Sequence, residues 1–206
     1  MATMRLDDLR QYSDVLRTRH GEVLTARFVD PRDAEALQNY FRSLTANSRY
    51  KRFHGAASEL PPSLLQDFIH VGEAGGFSVI ATMLLDGWET IVGEARYAFD
   101  GDAASVEFGL SVGDRWQGRG IGSALLKNIE CRAASLGASH LFGDTLRSND
   151  AMIGLARKAG YAFANTPGDW KLTRFLKAIP LEPQEIPCAS WRLAAVSPGA
   201  RSSLAV

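Results

Sequence analysis

Three glycines alternate in one short segment, at Gly118, Gly120 and Gly122, between a predicted strand and a predicted helix. Glycines let the backbone approach a ligand closely and point several N–H groups in one direction. The start of a helix adds a partial positive charge, so the segment suits an anion such as a pyrophosphate. Arg115 or Arg119 could add a charge-assisted contact to that anion.

The spacing of these glycines separates the possible ligands. The dinucleotide fingerprint G-x-G-x-x-G belongs near the start of a βαβ fold, and here the third glycine is off by one position. A phosphate-binding P-loop needs G-x-x-x-x-G-K-[ST], which the chain lacks. The remaining alternative is a helix start with incidental glycines, although each glycine costs roughly 1 kcal/mol of helix propensity.

The hydrophobic pattern predicts the elements that position this turn. Alternating or continuous apolar runs indicate strands, and apolar residues at steps of three and four indicate helices. The predicted strands are 22–29, 77–85, 88–99, 104–112, 139–143, 161–164 and 170–176, and the predicted helices are 30–44, 61–72, 121–136 and 149–158. The order β-α-α-β-β-β-α-β-α-β-β is typical of an α+β fold, and 47–57 is interpreted as a polar connection.

Composition excludes several classes of protein. Of the 206 residues, 46% are hydrophobic and 22% are charged, which fits an ordinary soluble domain. Lys plus Arg and Asp plus Glu both number 23, and this neutral balance argues against a nucleic-acid partner. No run approaches the roughly 18 apolar residues of a membrane span. The N-terminus shows no apolar signal region. We therefore expect a cytoplasmic protein with no membrane partner.

Three parts of the chain are predicted: an N-terminal arm or helix over 1–20, a domain over 21–177 and a proline-rich extension over 178–206. Two cysteines, Cys131 and Cys188, are too few for a disulfide framework or a zinc site, and we expect both to be reduced. The four histidines show no metal-ligand spacing, so no metal is predicted.

Two segments resemble a known family. Residues 117–122 (QGRGIG) match the [QR]-x-x-G-x-[GA] signature of the GCN5-related N-acetyltransferase (GNAT) superfamily. Residues 149–161 resemble its N-x-x-x-x-x-L-x-x-x-x-G-[FY] pattern. Ser43-Leu44 followed by 48–53 (SRYKRF) is similar to a stretch of bacterial Pat-type protein lysine acetyltransferases. The resemblance covers 22–176 in element order and 104–163 in motif.

The resemblance implies a fold and a reaction. The fold would be a mixed, mostly antiparallel sheet of about six to seven strands flanked by about four helices. The reaction would move an acetyl group from acetyl-CoA, as co-substrate, to a primary amine by direct transfer in a ternary complex. Because such an amine is mostly protonated at neutral pH, a base must accept its proton. Glu107, on the strand before the glycine turn, stands where the family often has that base.

Further site residues follow from the resemblance. The strand leading into the glycine turn would supply backbone N–H groups to the thioester carbonyl and pair with the pantetheine arm. Asn149 would either contact the pantetheine or simply cap its helix. The implied acetyl-CoA contacts are Leu110, Ser111, Val112, Gln117, Gly118, Arg119, Gly120, Ile121, Gly122, Ser123 and Asn149.

Some questions stay open at this point. Many relatives carry a tyrosine where this chain has Ala156, so the group that protonates the leaving thiolate is missing, and Tyr161 is a weak candidate. Arg49 and Arg52 could bind an acidic acceptor or pair with carboxylates, and the second role is favoured. His54 would border the acceptor groove. The acceptor is a protein lysine or a small-molecule amine, and a homodimer is possible. The alternative function is a non-catalytic acyl-CoA-binding sensor or regulatory module.

Overall fold

One mixed sheet of eight strands organises the chain. The computed structural model describes residues 11–72, 76–99, 104–179 and 188–189. The strands are β1 (Asp14–Arg17), β2 (Val23–Phe28), β3 (Gly76–Leu85), β4 (Trp88–Phe99), β5 (Ser105–Val112), β6 (His140–Leu146), β7 (Ala162–Asn165) and β8 (Leu172–Ala178). Their order is β1-β2-β3-β4-β5-β6-β8-β7. The pair β5–β6 is parallel, and every other neighbouring pair is antiparallel.

The described residues also form five α-helices. They are α1 (Ala34–Ser43), α2 (Ala46–Phe53), α3 (Pro62–Ile69), α4 (Ile121–Ser135) and α5 (Asp150–Lys158). The α+β class predicted from the sequence is confirmed. The predicted counts of about six to seven strands and about four helices were each too low, because β1 and α2 give little sequence signal. None of the described helices is both long enough and apolar enough to cross a membrane.

Strand β1 corrects the prediction for the N-terminal segment. Part of 1–20 was predicted as an arm or helix, yet Asp14 to Arg17 pair with β2 as an edge strand. Burial alternates residue by residue along β1, which is the period of a strand. With four residues the strand is too short for its pattern to stand out among the surrounding charges. Residues 1–10 lie outside the described part of the chain.

Helix α2 corrects the interpretation of 47–57 as a connection. The Thr45 hydroxyl caps the helix by accepting a hydrogen bond of 3.2 Å from the Ser48 N–H. None of its residues is buried, so the helix has no apolar stripe that the sequence pattern could show. Polar contacts and the packing of the Phe53 ring on Phe41, with 5.2 Å between the centroids, hold it on the domain.

Helices α4 and α2 cover opposite faces of the sheet. Successive residues of β4 point to opposite faces. Gly93 lies against Leu125 of α4, whereas the next residue, Glu94, pairs with Arg52 of α2. Apolar residues are buried on both faces, with Phe41 of α1 and Phe68 of α3 packed on the α2 side, and the polar positions of β4 and β5 beneath α2 are left to form the site.

A short described segment of the C-terminal extension packs on the domain. Both cysteines are buried thiols, and Cys188 precedes Ala189, whose N–H donates to the Asp14 carboxylate at 2.6 Å. The same carboxylate pairs with the fully buried Arg132 of α4 at 2.6 Å. Residues 188–189 are therefore held against β1 and α4. The rest of the predicted extension beyond Ile179 lies outside the described residues.

Candidate active site

Strands β5 and β6 separate part-way along their length. Their parallel pairing covers three residue pairs and ends at Glu107 opposite Phe142. Beyond that point β5 continues to pair with β4, with Leu110 opposite Ala95 and Val112 opposite Gly93. One edge of 108–112, which includes Leu110, Ser111 and Val112, therefore faces a gap. Backbone groups along such an edge can bond an extended ligand as if it were another strand.

The glycine turn lies at the end of this gap. Gly118 and Gly120 have φ values of +76° and +86°, in the left-handed region that glycine adopts readily. Gly120 is the N-cap of α4, and no side chain caps this end of the 15-residue helix. The first N–H groups of α4 are therefore available to an anion, strengthened by the helix dipole.

The other residues predicted in this turn have different surroundings. Gln117 closes the loop by donating from its side-chain amide to the Val112 carbonyl at 3.1 Å. Arg119 pairs with Glu22 at 3.2 Å and lies over the Trp116 ring, so it is held beside the turn. Ile121 is buried in the core, and Ser123 is exposed on the first turn of α4. Ile121 thus offers a ligand only its backbone N–H.

Asn149, the first residue of the 149–161 motif, links the start of α5 to β6. Its side-chain oxygen accepts from the Met152 N–H at 3.4 Å and so caps α5, while its amide donates to the Thr145 hydroxyl at 3.0 Å. It also lines the cavity described next. The two roles left open in the sequence are therefore compatible. Gly122 of α4 lies between β5 and α5, since a Cβ there would be 3.4 Å from the Leu155 side chain.

A cavity of about 370 Å³ opens beside Glu107. Its wall is formed by β4, β5, α2 and the start of α5, with contributions from Arg52, His54, Arg96, Glu107 and Asp144. Val106 and Phe108 are buried on the opposite face of β5, whereas Glu107 is exposed on the cavity side. Strand alternation therefore explains why a charge is tolerated between two apolar residues. The cavity reaches the strand edge at Gly109 and Leu110.

A buried polar network beneath the cavity was missed in the sequence. Glu94 on β4 is fully buried and accepts from Arg52 through both carboxylate oxygens, at 2.7 and 3.1 Å. Ser111 of β5 also donates to this carboxylate at 2.6 Å. Since the single Ser111 proton goes to Glu94, the Tyr40 hydroxyl donates to Ser111 across 2.9 Å. The network ties α1 and α2 to the strand edge that faces the gap.

Titration in this network follows from burial and charge. Burial, reinforced by the Glu94 carboxylate, raises the pKa of Tyr40 above its ordinary value, so the phenol stays protonated and can donate. Burial alone would lower the pKa of Arg52, but the Glu94 carboxylate outweighs it and raises that pKa. Arg52 is thus a permanently charged partner of Glu94, as the favoured sequence interpretation expected.

Two further contacts anchor α2. Arg49 donates to the backbone carbonyls of Ala57 and Arg42, at 2.8 and 3.2 Å, and to the Leu44 carbonyl. Asp114, just after β5, accepts from the hydroxyls of Ser48 and Thr45 and from the Thr45 N–H. Partial burial would raise the pKa of Asp114, yet these hydrogen bonds lower it, so the carboxylate stays ionised. Arg49 therefore binds backbone oxygens and has a structural role.

The Arg52 guanidinium packs directly against the backbone of Gly109, where a side chain would not fit. A Cβ at Gly109 would lie 2.8 Å from the Arg52 Nη1. We expect Gly109→Ala to displace a guanidinium that Glu94 holds in place, and to cost about 1–3 kcal/mol of unfolding free energy, measured by urea denaturation. The matched control is Gly154→Ala in α5, where nothing lies within 4 Å of a Cβ. That change should stabilise by up to about 1 kcal/mol. Equal effects at the two positions would contradict the steric argument.

A comparison with protein families now identifies the fold. The model of the acetyltransferase (GNAT) family matches residues 40–161, more than half of the chain. The chain belongs to the GNAT family. Membership makes it an acyltransferase, and the match includes the glycine turn, the gap and α5.

Known relatives support the Pat-type resemblance. An acetyltransferase of Pseudomonas aeruginosa is 24% identical over 149 residues, which are 72% of this chain and 80% of that protein. The acetyltransferase Pat of Mycolicibacterium smegmatis is 27% identical over 176 residues, which cover 83% of this chain and 52% of Pat. This chain therefore spans about half the length of that Pat. The GNAT domain of S. lividans Pat has a TM-score of 0.73 and 24% identity, over 81% of this chain and 97% of that domain.

The thiolate-protonating tyrosine of many GNAT proteins has no replacement in Tyr161. Ala156 is fully buried in α5. Tyr161 packs among the rings of Phe108 and Phe175, with centroids 5.9 and 5.6 Å away, and is not part of the cavity wall. Burial and the nearby Glu130 carboxylate raise the pKa of Tyr161. Tyr161 is therefore a core aromatic.

His54 is one of the residues that line the cavity. It ends α2 with a φ of +54°, an unusual conformation for a residue with a side chain. Partial burial and the neighbouring Arg52 lower the pKa of His54, although Asp144 and Asp169 oppose this effect. The imidazole is therefore neutral at pH 7.

Proposed function

We propose that this GNAT protein transfers an acetyl group from acetyl-CoA directly to a primary amine. The observation that carries the proposal is the gap between β5 and β6, which opens beside Glu107 and ends at the uncapped N-terminus of α4. A carboxylate, a strand edge and an anion site thus follow one another along a single path. This arrangement suits a long acyl-CoA at one end and an amine at the other.

Different segments along this path would bind different parts of acetyl-CoA. The N–H groups of the glycine turn and of the first turn of α4 would hold the pyrophosphate. The edge of β5 from Leu110 to Val112 would pair with the pantetheine arm, with Asn149 on the opposite side. Donors on this edge that meet the thioester carbonyl would also stabilise the oxyanion that develops during transfer.

The chemistry at the cavity follows from Glu107. An alkyl ammonium has no lone pair for attack, so a carboxylate that accepts its proton, directly or through water, generates the nucleophile. The new nitrogen–carbon bond forms as the carbon–sulfur bond breaks, and the sulfur leaves with the electron pair as a thiolate. Cys131 and Cys188 are not among the residues that line the cavity, which is consistent with direct transfer and no acyl-enzyme.

The sequence left a non-catalytic acyl-CoA sensor as the alternative function. One observation favours it: no tyrosine hydroxyl lies at the α5 position that protonates the thiolate in many relatives, because Ala156 is there. The carboxylate at the cavity favours the enzyme. Release of CoA thiol across a panel of amines and lysine peptides decides between them. A sensor binds acetyl-CoA but does not transfer its acetyl group, so it produces no CoA thiol. A cytoplasmic location, a homodimer and the boundaries at 20/21 and 177/178 stay predictions.

Acetyl-CoA should raise the melting temperature of the protein. Ligand at about 100 times its Kd adds about 2.7 kcal/mol to the native state, which corresponds to roughly 5–10 °C for a chain of this size. NAD and ATP at the same concentration should shift it far less. Differential scanning fluorimetry measures the effect. No shift with acetyl-CoA would contradict the proposed anion site.

A glycine variant localises the binding site. Gly120→Ala forces a side chain into a backbone with φ of +86° at the start of α4, next to Thr18. Its matched control is Gly137→Ala at the far end of α4, where φ is +94° and a Cβ would meet open space. Both variants should lose about 1 kcal/mol of stability. Only Gly120→Ala should lose most of the acetyl-CoA shift, and an equal shift in both would place the pyrophosphate elsewhere.

A further inference from the structure

Arg96 lies on the cavity wall beside the proposed reaction centre. It is on β4, opposite Gly109 of β5, and the next pair on the same face is Ala98 opposite Glu107. Glu94, Arg96 and Ala98 share the face covered by α2, because alternate residues of a strand point the same way. Arg96 is therefore on the same side of the sheet as Glu107, one residue pair away along the strands.

The partners of Arg96 differ sharply from those of Arg52. Arg52 makes a two-point ion pair with the fully buried Glu94. Arg96 has one long ion pair, 3.9 Å from Nη1 to a carboxylate oxygen of the exposed Asp67. Within the described part of the chain, its buried Nε has no hydrogen-bond partner. A buried N–H without an acceptor costs free energy, so a ligand that supplies an oxygen there gains it back.

The position of the Arg96 guanidinium is fixed from two sides. It lies over the Phe68 ring, with 5.5 Å from Cζ to the ring centroid. On the strand side, a Cβ at Gly76 would lie 3.0 Å from its Nη2, so the absence of a side chain at Gly76 leaves the room that the guanidinium fills. The group is held against the cavity wall before any ligand arrives, which lowers the entropy cost of binding.

We propose that Arg96 binds a carboxylate of the acceptor, so that the acceptor is a primary amine that also carries an acidic group. The inference rests on the proposed acetyltransferase function and names its substrate class. The planar guanidinium fork matches a carboxylate better than it matches a neutral group. The cavity wall also carries both signs of charge: Glu107 attracts an ammonium group, and Arg96 and Lys51 attract an anion.

The carboxylate can belong to a small ω-amino acid or to an acidic residue beside a lysine in a peptide. The volume of about 370 Å³ fits either a small molecule or one extended side chain with a neighbour. Both sources offer the same chemistry to Arg96. The experiment therefore contains one series of each kind.

The test compares acids with their neutral counterparts. For ω-amino acids of increasing length and their methyl esters, and for lysine peptides with Glu or Gln beside the lysine, kcat/KM is measured in wild type and in Arg96→Gln. Wild type should prefer the acid by about 10- to 100-fold in at least one series, the size of a charge-assisted pair. Arg96→Gln should reduce that ratio to about one, and the series affected identifies the source.

The controls separate charge from fold. Arg17→Ala removes an exposed arginine on β1, at the opposite end of the sheet, and should keep the wild-type ratio. Thermal melts show whether Arg96→Gln folds. Arg96→Lys is the second variant, because it keeps the positive charge but cannot bind a carboxylate through the planar, two-point geometry of a guanidinium. An intermediate acid-to-ester ratio in Arg96→Lys supports the proposal.

The outcomes distinguish this inference from the proposed function. If wild type releases CoA thiol equally with acids and esters, the acetyltransferase function stands and the role of Arg96 is overturned. If no amine gives CoA thiol, the proposed function fails, and calorimetry with the CoA-loaded protein tests Arg96 by itself. Binding of an acid but not its ester, lost in Arg96→Gln, supports the proposal, and no binding of either compound overturns it.

Discussion

The Glu107→Gln variant is expected to lose about 10²- to 10⁴-fold in kcat while its affinity for acetyl-CoA stays nearly unchanged. Glutamine has the shape of glutamate and cannot accept a proton at neutral pH. Glu107 is exposed on the cavity side of β5, where the strand pairing with β6 ends, so the substitution leaves the core intact. Steady-state release of CoA thiol gives kcat, and calorimetry gives the affinity.

A second readout identifies proton removal as the lost step. The deprotonated fraction of an alkyl amine rises about tenfold per pH unit below its pKa of about 10.4. The rate of Glu107→Gln should therefore rise more steeply with pH than the wild-type rate. Glu35→Gln, at an exposed glutamate of α1, is the control and should change neither kcat nor the pH profile. Equal losses of kcat and of acetyl-CoA affinity in Glu107→Gln would sink the base assignment.

The Glu94→Ala variant should lose about 3–5 kcal/mol of unfolding free energy, the largest stability effect that we expect from a single substitution. It leaves the Arg52 guanidinium charged and largely enclosed, with its side chain 14% exposed and no carboxylate to receive its two hydrogen bonds. It also removes the acceptor of the Ser111 hydroxyl on the strand edge. Urea denaturation measures the loss, and the acetyl-CoA thermal shift should fall because the edge of β5 is no longer held.

An exposed ion pair is the matched control. Arg42 and Glu59 also pair closely, but their side chains are 53% and 46% exposed, so Glu59→Ala should cost at most about 1 kcal/mol. The double variant Arg52→Met with Glu94→Leu should recover part of the Glu94→Ala loss, since no charge is left buried and alone. A loss in Glu94→Ala no larger than that in Glu59→Ala would show that the network contributes little.

The glycine turn and the strand that precedes it could be predicted from sequence because local rules decide them. Gly118 and Gly120 have the positive φ values that glycine allows, and Asn149 caps the helix that its position suggested. The role of Leu110 to Val112 as a free strand edge came from a family resemblance. The alternation of Val106, Glu107 and Phe108 indicated a strand, and the structure adds that the charge faces a cavity.

The parts that the sequence did not show depend on contacts between distant residues. Arg52 and Glu94 are 42 positions apart, and neither has a local pattern that names its partner. Helix α2 has no buried face, so hydrophobic periodicity cannot detect it. The helix is stabilised by the Thr45 cap and by Asp114, which accepts a hydrogen bond from the Ser48 hydroxyl 66 positions earlier in the chain. Strand β1 likewise exists through its pairing with β2.

The pairing between β5 and β6 is also the shortest connection within the sheet. Five strands, β1 to β5, are joined by antiparallel ladders, and β6, β8 and β7 form a second antiparallel block, but only three residue pairs join β5 to β6. A ligand lying along the edge of 108–112 would lengthen that junction from within. A bound acyl donor would then bridge the two parts of the sheet. The two walls of the amine cavity would therefore be more rigid with the donor bound than without it.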